Sequence, residues 1–253
     1  MIDSHCHLDH CADPSAAADP NLRAMVSIGT TVERCRETLR LAERFGNVWA
    51  AVGIHPTEAN DARDPDVRAA IAELAEHPKV VAIGETGIDY YWDAASAEVQ
   101  RDSFVWQAEL AASLDKPLIL HVRDKQNREQ ASLDTARLMS DIGWNKGILH
   151  CFNGHAVLGE TGLELDWFVS FAGNLTYKKS TELHDAARNI PRDRLLVETD
   201  SPFLTPVPKR GERNVPANVR HTAAFLAELR GETLDEVEAY TDANAIRVYD
   251  LPL

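Results

Sequence analysis

The chain of 253 residues carries 40 acidic and 26 basic side chains, a net charge of −14. That balance argues against a broad nucleic-acid-binding face, because non-specific affinity comes from Lys and Arg neutralising phosphates; it leaves room for a local phosphate pocket or a metal that recruits phosphate. The hydrophobic share of 44% and charged share of 26% are those of an ordinary soluble protein that buries its core without disulfides, and four cysteines lacking Cys-x-x-Cys spacing argue against a zinc ribbon or redox motif.

The chain start has no basic-then-apolar leader pattern, and no run approaches the apolar length of a membrane span, so a cytoplasmic monomer without membrane attachment is expected. In chain order, short Val/Ile/Leu-rich runs predict strands at 1–5, 24–29, 48–54, 80–85, 117–121, 146–150, 167–172 and 195–199. Amphipathic stretches predict helices at 31–45, 66–76, 97–114, 128–142, 156–164 and 180–188, with one or two more between 216 and 250. Thr30-Thr31-Val32-Glu33 and Asp64-Pro65-Asp66 read as helix starts, and Gly46 and Gly143 as stops. Eight strands with intervening helices, and no linker or repeat, predict an α/β fold: a single (β/α)8 TIM barrel domain spanning 1–253. Such a barrel places catalytic residues at the C-terminal ends of its strands.

Ligand-type side chains stand at those ends. His5 and His7 form a His-x-His pair, and residues two apart on a strand point the same way. Val80-Val81-Ala82-Ile83-Gly84 runs into Glu85, Leu118-Ile119-Leu120 into His121, Gly147-Ile148-Leu149 into His150, and Leu195-Leu196-Val197 towards Glu198-Thr199-Asp200. Four imidazoles and two carboxylates suit zinc, manganese or a similar ion better than an oxygen-only calcium site. Six ligands exceed what one tetrahedral ion needs, so two divalent ions (Mg, Mn or Zn) bridged by Glu85 are expected, with Gly84 and Gly87 leaving room for close approach on either side. A lone histidine in an apolar run is ordinarily a core or surface residue, and Asp200 before Ser201-Pro202 could simply cap a turn. The recurrence of such residues at successive strand ends favours the metal reading. Cys6 and Cys151 alternate away from the ligands and read as packing. The basic cluster Lys209-Arg210-Gly211-Glu212-Arg213-Asn214 is either a solvated loop or a phosphate contact, and His55 either binds a substrate oxygen or caps structure.

These residues resemble the TatD family of metal-dependent deoxyribonucleases, within the amidohydrolase-like barrels. The resemblance runs almost end to end through Asp3-Ser4-His5-Cys6-His7-Leu8-Asp9, Gly53-Ile54-His55-Pro56, Ile83-Gly84-Glu85-Thr86-Gly87-Ile88-Asp89-Tyr90-Tyr91, His121-Val122-Arg123, His150-Cys151-Phe152-Asn153-Gly154, Glu198-Thr199-Asp200-Ser201-Pro202-Phe203-Leu204 and the run from Arg210 to Asn218. It implies one metal held by His5, His7, Glu85 and Asp200, and a second held by Glu85, His121 and His150. Glu85 and Asp200 would then be catalytic, Asp200 orienting or deprotonating the attacking water. Arg213 and Asn214 would hold substrate phosphate, helped by His55 and Tyr91. The chain departs from the family pattern at Thr57, where many relatives have a second histidine, and across Asp124-Lys125-Gln126-Asn127-Arg128. Both departures fall on loops that flank the site and bear on substrate preference.

The expected activity is metal-assisted hydrolysis of a phosphodiester, in DNA ends or single strands. Two rivals stand beside it. One is a hydrolase of the same barrel class acting on a cyclic amide, ester or phosphotriester, whose metals are commonly bridged by a carboxylated lysine; here Lys116 precedes its strand instead of ending it. The other is a non-catalytic scaffold barrel, in which loss of ligands is expected.

Overall fold

Eight parallel strands follow one another around a nearly closed sheet in chain order: β1 (Ile2–Cys6), β2 (Ala24–Gly29), β3 (Val48–Val52), β4 (Val80–Asp89), β5 (Leu118–Arg123), β6 (Gly147–Leu149), β7 (Phe168–Phe171) and β8 (Leu195–Val197). The computed structural model describes all 253 residues. Between β2 and β8 each connection carries a helix: α2 (Val32–Arg44), α3 (Pro65–Ala75), α4 (Ala97–Ser113), α5 (Gln130–Ile142), α6 (Ala156–Glu164) and α7 (Thr181–Asn189). The first connection holds only the single turn α1 (Pro14–Ala17), and α8 (Val219–Arg230) and α9 (Leu234–Tyr249) follow β8. This is the expected (β/α)8 barrel.

Side-chain alternation builds two cores. Ala24, Val26, Ile28, Ile119, Ile148 and Leu196 fill the barrel interior with Ile2 and Phe168. Their neighbours Met25, Leu118, Leu120, Leu149, Leu195 and Val197 face outward into the larger core beneath the helices. Because Ile119 and Ile148 point inward, His121 and His150, two residues on, follow them to the mouth.

The two strands carrying the remaining ligands break this alternation. Pairing of β1 with β2 shifts register between Asp3 and Cys6, and pairing of β4 with β5 shifts between Ile83 and Thr86. Such irregularities re-aim side chains beside active sites. Ile2 is an interior residue, yet the shift turns Cys6 into the outer core and aims His5 and His7 at one another. Along β4, Ala82 lies inside and Ile83 outside, while Glu85 reaches the mouth.

Several boundaries differ from expectation. Strand β4 continues four residues past Glu85 to Asp89, because Gly84 and Gly87 let it lie against β5. Gly84 and Gly87 have φ of 132° and 135°, and a Cβ there would stand 2.7 Å from Ile119 O and 2.1 Å from His121 O. The room they leave is therefore filled by backbone of β5. Thr31 and Asp64 cap α2 and α3 as read, and Gly143 ends α5 in the left-handed region. Gly46 has no such role, since α2 already ends at Arg44 with Phe45 extended. Helix α5 starts at Gln130, two residues later than expected, where Asp124 accepts from Ala131 N at 2.7 Å.

Closure between β8 and β1 uses side chains in place of a regular ladder. Ser4 Oγ donates to Val197 O at 2.9 Å, and the Asp3 carboxylate accepts from Thr199 N at 2.9 Å and Thr199 Oγ1 at 2.6 Å. Beyond them Asp200 N donates to His5 O at 3.0 Å and His7 N to Ser201 O at 2.7 Å. Helix α9 ties the same seam: Tyr249 donates to Ser4 O at 2.8 Å, and Asp242 accepts from Ile2 N at 2.7 Å. The contacts that close the barrel thus also set Asp200 beside the His-x-His pair.

Candidate metal centre

His5, His7, Glu85, His121, His150 and Asp200 all converge at the C-terminal mouth of the barrel. His5 Nε2 lies 3.3 Å from His7 Nε2, 3.6 Å from Glu85 Oε2 and 3.8 Å from Asp200 Oδ1. His7 Nε2 lies 3.6 Å from Glu85 Oε2 and 3.3 Å from Asp200 Oδ1. A tetrahedral ion with bonds of roughly 2.0–2.2 Å sets its ligand atoms about 3.3–3.6 Å apart. His5, His7 and Asp200, from β1 and the segment after β8, lie mutually within 4.8 Å and nearly satisfy that spacing, and Glu85 Oε2 on β4 reaches both histidines.

The other oxygen of Glu85 serves a second group. Its Oε1 lies 2.9 Å from His121 Nδ1, 3.2 Å from His150 Nε2 and 3.8 Å from His55 Nε2. These separations are shorter for His121 and His150 than in the first group, in the range of hydrogen bonds. His55 Nδ1 accepts from Thr57 N at 3.2 Å and faces Thr57 Oγ1 at 2.7 Å, so the residue that departs from the family pattern fixes this ring. A further set, His7, Asp9 and His10, is nearby, but Arg34 holds Asp9 at 2.8 Å and His7 Nδ1 is turned to Ile28 O at 3.1 Å.

Burial and mutual charge set the protonation of the cluster. Burial would raise the Glu85 carboxyl, but His150, His121 and His5 outweigh it and hold Glu85 well below the usual carboxylate range. Burial would also raise Asp200, and His7 with His150 reverses this, keeping it ionised. Burial lowers His7, yet Asp200 and Glu85 overcome that and lift it to about 9. His5, its ring stacked 3.5 Å from that of His150, is lowered by burial and by the His150 charge. His55 falls to about 3 through burial and the nearby His121, and is neutral.

Two carboxylates that contact the cluster escaped the sequence reading although both stand in the quoted motifs. Glu198 is fully buried and accepts from Cys151 N at 2.9 Å, with His150 Nδ1 at 2.7 Å. Asp89 Oδ2 lies 3.0 Å from His121 Nε2, while its Oδ1 accepts from Tyr91 N and Trp92 N. A carboxylate behind an imidazole orients the ring and raises its basicity. Buried polar atoms without a protein partner, His5 Nδ1 and Glu198 Oε2, also mark the cluster as built for more than self-contact.

The residues read as substrate contacts are placed differently from one another. Arg213 is exposed and donates to His10 O at 2.9 Å, which sets its guanidinium on the β1 side of the mouth. Tyr91 is exposed on the β4 side. Asn214 is buried: its Nδ2 donates to Thr199 O and Phe203 O, and its Oδ1 accepts from Asn218 Nδ2 and Val215 N. Its amide therefore holds the segment after β8 to the loop that follows. Lys116 donates to Ala75 O and Val80 O at the opposite end of the barrel, so no lysine reaches the mouth from β5.

The family model for TatD related DNases matches residues 2–250. The chain belongs to the TatD-related DNase family. An uncharacterized metal-dependent hydrolase TatD of Mycobacterium tuberculosis is 38% identical across 99% of this chain and 98% of its own length. A Klebsiella pneumoniae protein named 3'-5' ssDNA/RNA exonuclease TatD is 32% identical across 99% of this chain and 95% of its own. Among solved structures, the TatD homologue YJJV of Escherichia coli superposes with a TM-score of 0.90 at 27% identity, covering 100% of this chain and 98% of that one. The protein is accordingly a metal-dependent hydrolase of the TatD family on a TIM barrel, with clusters of His, Asp and Glu able to hold metal. No helix is long and apolar enough to cross a membrane.

Proposed function

We propose that this TatD-family chain hydrolyses phosphodiester bonds in DNA, at ends or in single strands, with two divalent ions sharing Glu85. The observation that carries this reading is the division of the Glu85 carboxylate, one oxygen 3.6 Å from both His5 and His7 and the other beside His121 and His150. Divalent ions bound there would lower the pKa of a water and draw charge from a phosphoryl oxygen. His5, His7, Glu85 and Asp200 would hold one ion, and Glu85, His121 and His150 the other, with Mg, Mn and Zn as candidates.

The chain's own groups supply the rest. Asp200, ionised at the edge of the first group, accepts the proton of the attacking water. His55 is neutral with Nδ1 taken by Thr57 N, so its Nε2–H is free to donate to a phosphate oxygen. Arg213 neutralises phosphate from the opposite side of the mouth, countering locally the repulsion expected of a chain of net charge −14. Tyr91 contacts substrate from the β4 side, and Asn214 acts by holding the Arg213 loop.

The relative named as an ssDNA/RNA exonuclease supports this substrate class. The rival hydrolases bridged by a carboxylated lysine are disfavoured because Glu85 occupies the shared position and Lys116 lies at the far end of the barrel. One chain furnishes every group of the cluster, so a monomer suffices, and four free cysteines suit a reducing cytoplasm. Purified protein supplied with Mg or Mn should trim or nick DNA, and His121→Ala should abolish that activity. Undiminished activity in His121→Ala would overturn the assignment.

A further inference from the structure

Strand β5 extends beyond His121 to Arg123, and alternation sends both side chains from the same face of the strand. Arg123 pairs in register with Asp89, and its carbonyl accepts from Tyr90 N at 2.9 Å, which places it beside the Tyr91-Trp92 turn. Its guanidinium carbon lies 4.0 Å from the centre of the Tyr91 ring and 5.7 Å from that of Trp92. Those rings meet edge to face at 4.9 Å, and they are 45% and 54% exposed. A large apolar surface is thus left open to solvent with a cation fixed against it.

A groove of about 1310 Å³ shares Arg123 with this shelf and lies between the loops after β5 and β6, lined also by Lys125, Arg128, Asn153 and His155. The acids along it are Asp124, Glu129 and Glu182. Asp124 is engaged at the start of α5, accepting from Ala131 N at 2.7 Å and Ser132 Oγ at 2.5 Å. None of the cations Arg123, Lys125 and Arg128 forms an ion pair, although acidic residues outnumber basic ones by 40 to 26. This is also the segment that departs from the family pattern.

Exposed aromatic rings joined to a groove of unpaired cations are the elements that hold a single-stranded nucleic acid without reading its sequence. We infer that the Arg123–Tyr91–Trp92 shelf stacks an unpaired base next to the hydrolytic site, and that the groove holds the following phosphates of the strand through Lys125 and Arg128. The inference rests on the phosphodiesterase reading and adds the path of the uncleaved part of the substrate. Arg123 lies two residues beyond His121, about 6.6 Å along β5. That is of the order of one step of an extended nucleotide chain, so the shelf stands about one nucleotide from the position attacked. Bases in a duplex have both faces covered, so the shelf selects unpaired strands.

The test uses the full metal-loaded enzyme and compares kcat/KM for a single-stranded oligothymidylate with that for a thymidine dinucleotide. The wild type should prefer the longer strand. The combined change Arg123→Ala, Lys125→Ala and Arg128→Ala should lower the ratio of the two values by about tenfold or more, and reduce the salt slope of log kcat/KM on the long strand by up to about 2. Trp92→Ala should lower the ratio about fivefold or more, with Trp92→Phe recovering most of it. Equal losses on both substrates, or an unaltered ratio and slope, would overturn the track. A wild type that cleaves both equally well overturns the track alone; a wild type that cleaves neither overturns the phosphodiesterase reading and the track with it.

Discussion

The Asp3 carboxylate accepts two hydrogen bonds from Thr199, from N at 2.9 Å and from Oγ1 at 2.6 Å, and this fully buried pair joins the first strand to the segment after the last. Asp200 follows Thr199, and His5 lies two residues beyond Asp3, so a structural bond and a candidate metal shell are built from the same few residues. Asp3→Ala should remove about 2–3 kcal/mol of stability, read from the urea midpoint, because Thr199 loses its buried acceptor. Thr199→Val, which removes only the hydroxyl bond, should cost about 1 kcal/mol. Metal affinity should fall in both variants, since Asp200 loses its anchor; unaltered affinity with lowered stability would separate the seam from the site.

Glu198 touches no substrate in this account and acts through His150. Glu198→Gln should weaken metal affinity or activity by about 10–100-fold, as expected for a carboxylate that orients a ligating imidazole. Asp89→Asn should act similarly through His121. Titration of each purified variant with Mn²⁺ or Zn²⁺, followed by rate measurement at saturating metal, tells a positioning role from a direct one: much of the lost rate should return at saturation.

Gly87 has φ of 135°, and a Cβ on it would stand 2.1 Å from His121 O. Gly87→Ala should destabilise the fold by at least about 2 kcal/mol, combining backbone strain with forced separation of β4 and β5. Thermal or urea unfolding checks it. Gly46→Ala, where a Cβ meets nothing within 4 Å, is the matching control and should be near neutral.

Metal affinity should rise with pH. His7 is lifted to about 9 without metal, so at neutral pH a ligand must lose a proton before it can coordinate. Apparent affinity should increase by about tenfold per pH unit for each proton displaced, levelling off only once His7, His121 and His150, all lifted above the ordinary imidazole range by the neighbouring carboxylates, are neutral. The metal-free protein should show the opposite trend. A histidine whose folded pKa exceeds its unfolded value adds stability that is complete below about pH 6.5 and lost as pH rises through 9. Calorimetric titration and urea unfolding of the metal-free chain at several pH values test the two halves.

The barrel and the convergence of its ligands were legible because period-two alternation carries inward apolar residues straight into His121 and His150. Alternation paired His5 with His7 correctly, but register shifts in β1 and β4 break its link to the inward residues Ile2 and Ala82, so that only residue type pointed to Glu85. Gly84 and Gly87 were visible as a need for space, but sequence cannot say what fills it, and here it is β5. Glu198 and Asp89 went unread because a carboxylate behind an imidazole looks no different, in one dimension, from any other acid in a motif. Asn214 sits beside exposed charge in sequence yet is buried, held by partners at Thr199 and Asn218 that no local pattern predicts.

The proposed hydrolysis depends above all on Glu85 being shared between two ions. Anomalous diffraction from crystals loaded with Mn²⁺ or Zn²⁺ measures this directly. Two peaks are expected to flank the Glu85 carboxylate, one among His5, His7 and Asp200 and the other against His121 and His150. A single peak, or a second one away from Glu85 such as at His7, Asp9 and His10, would contradict it.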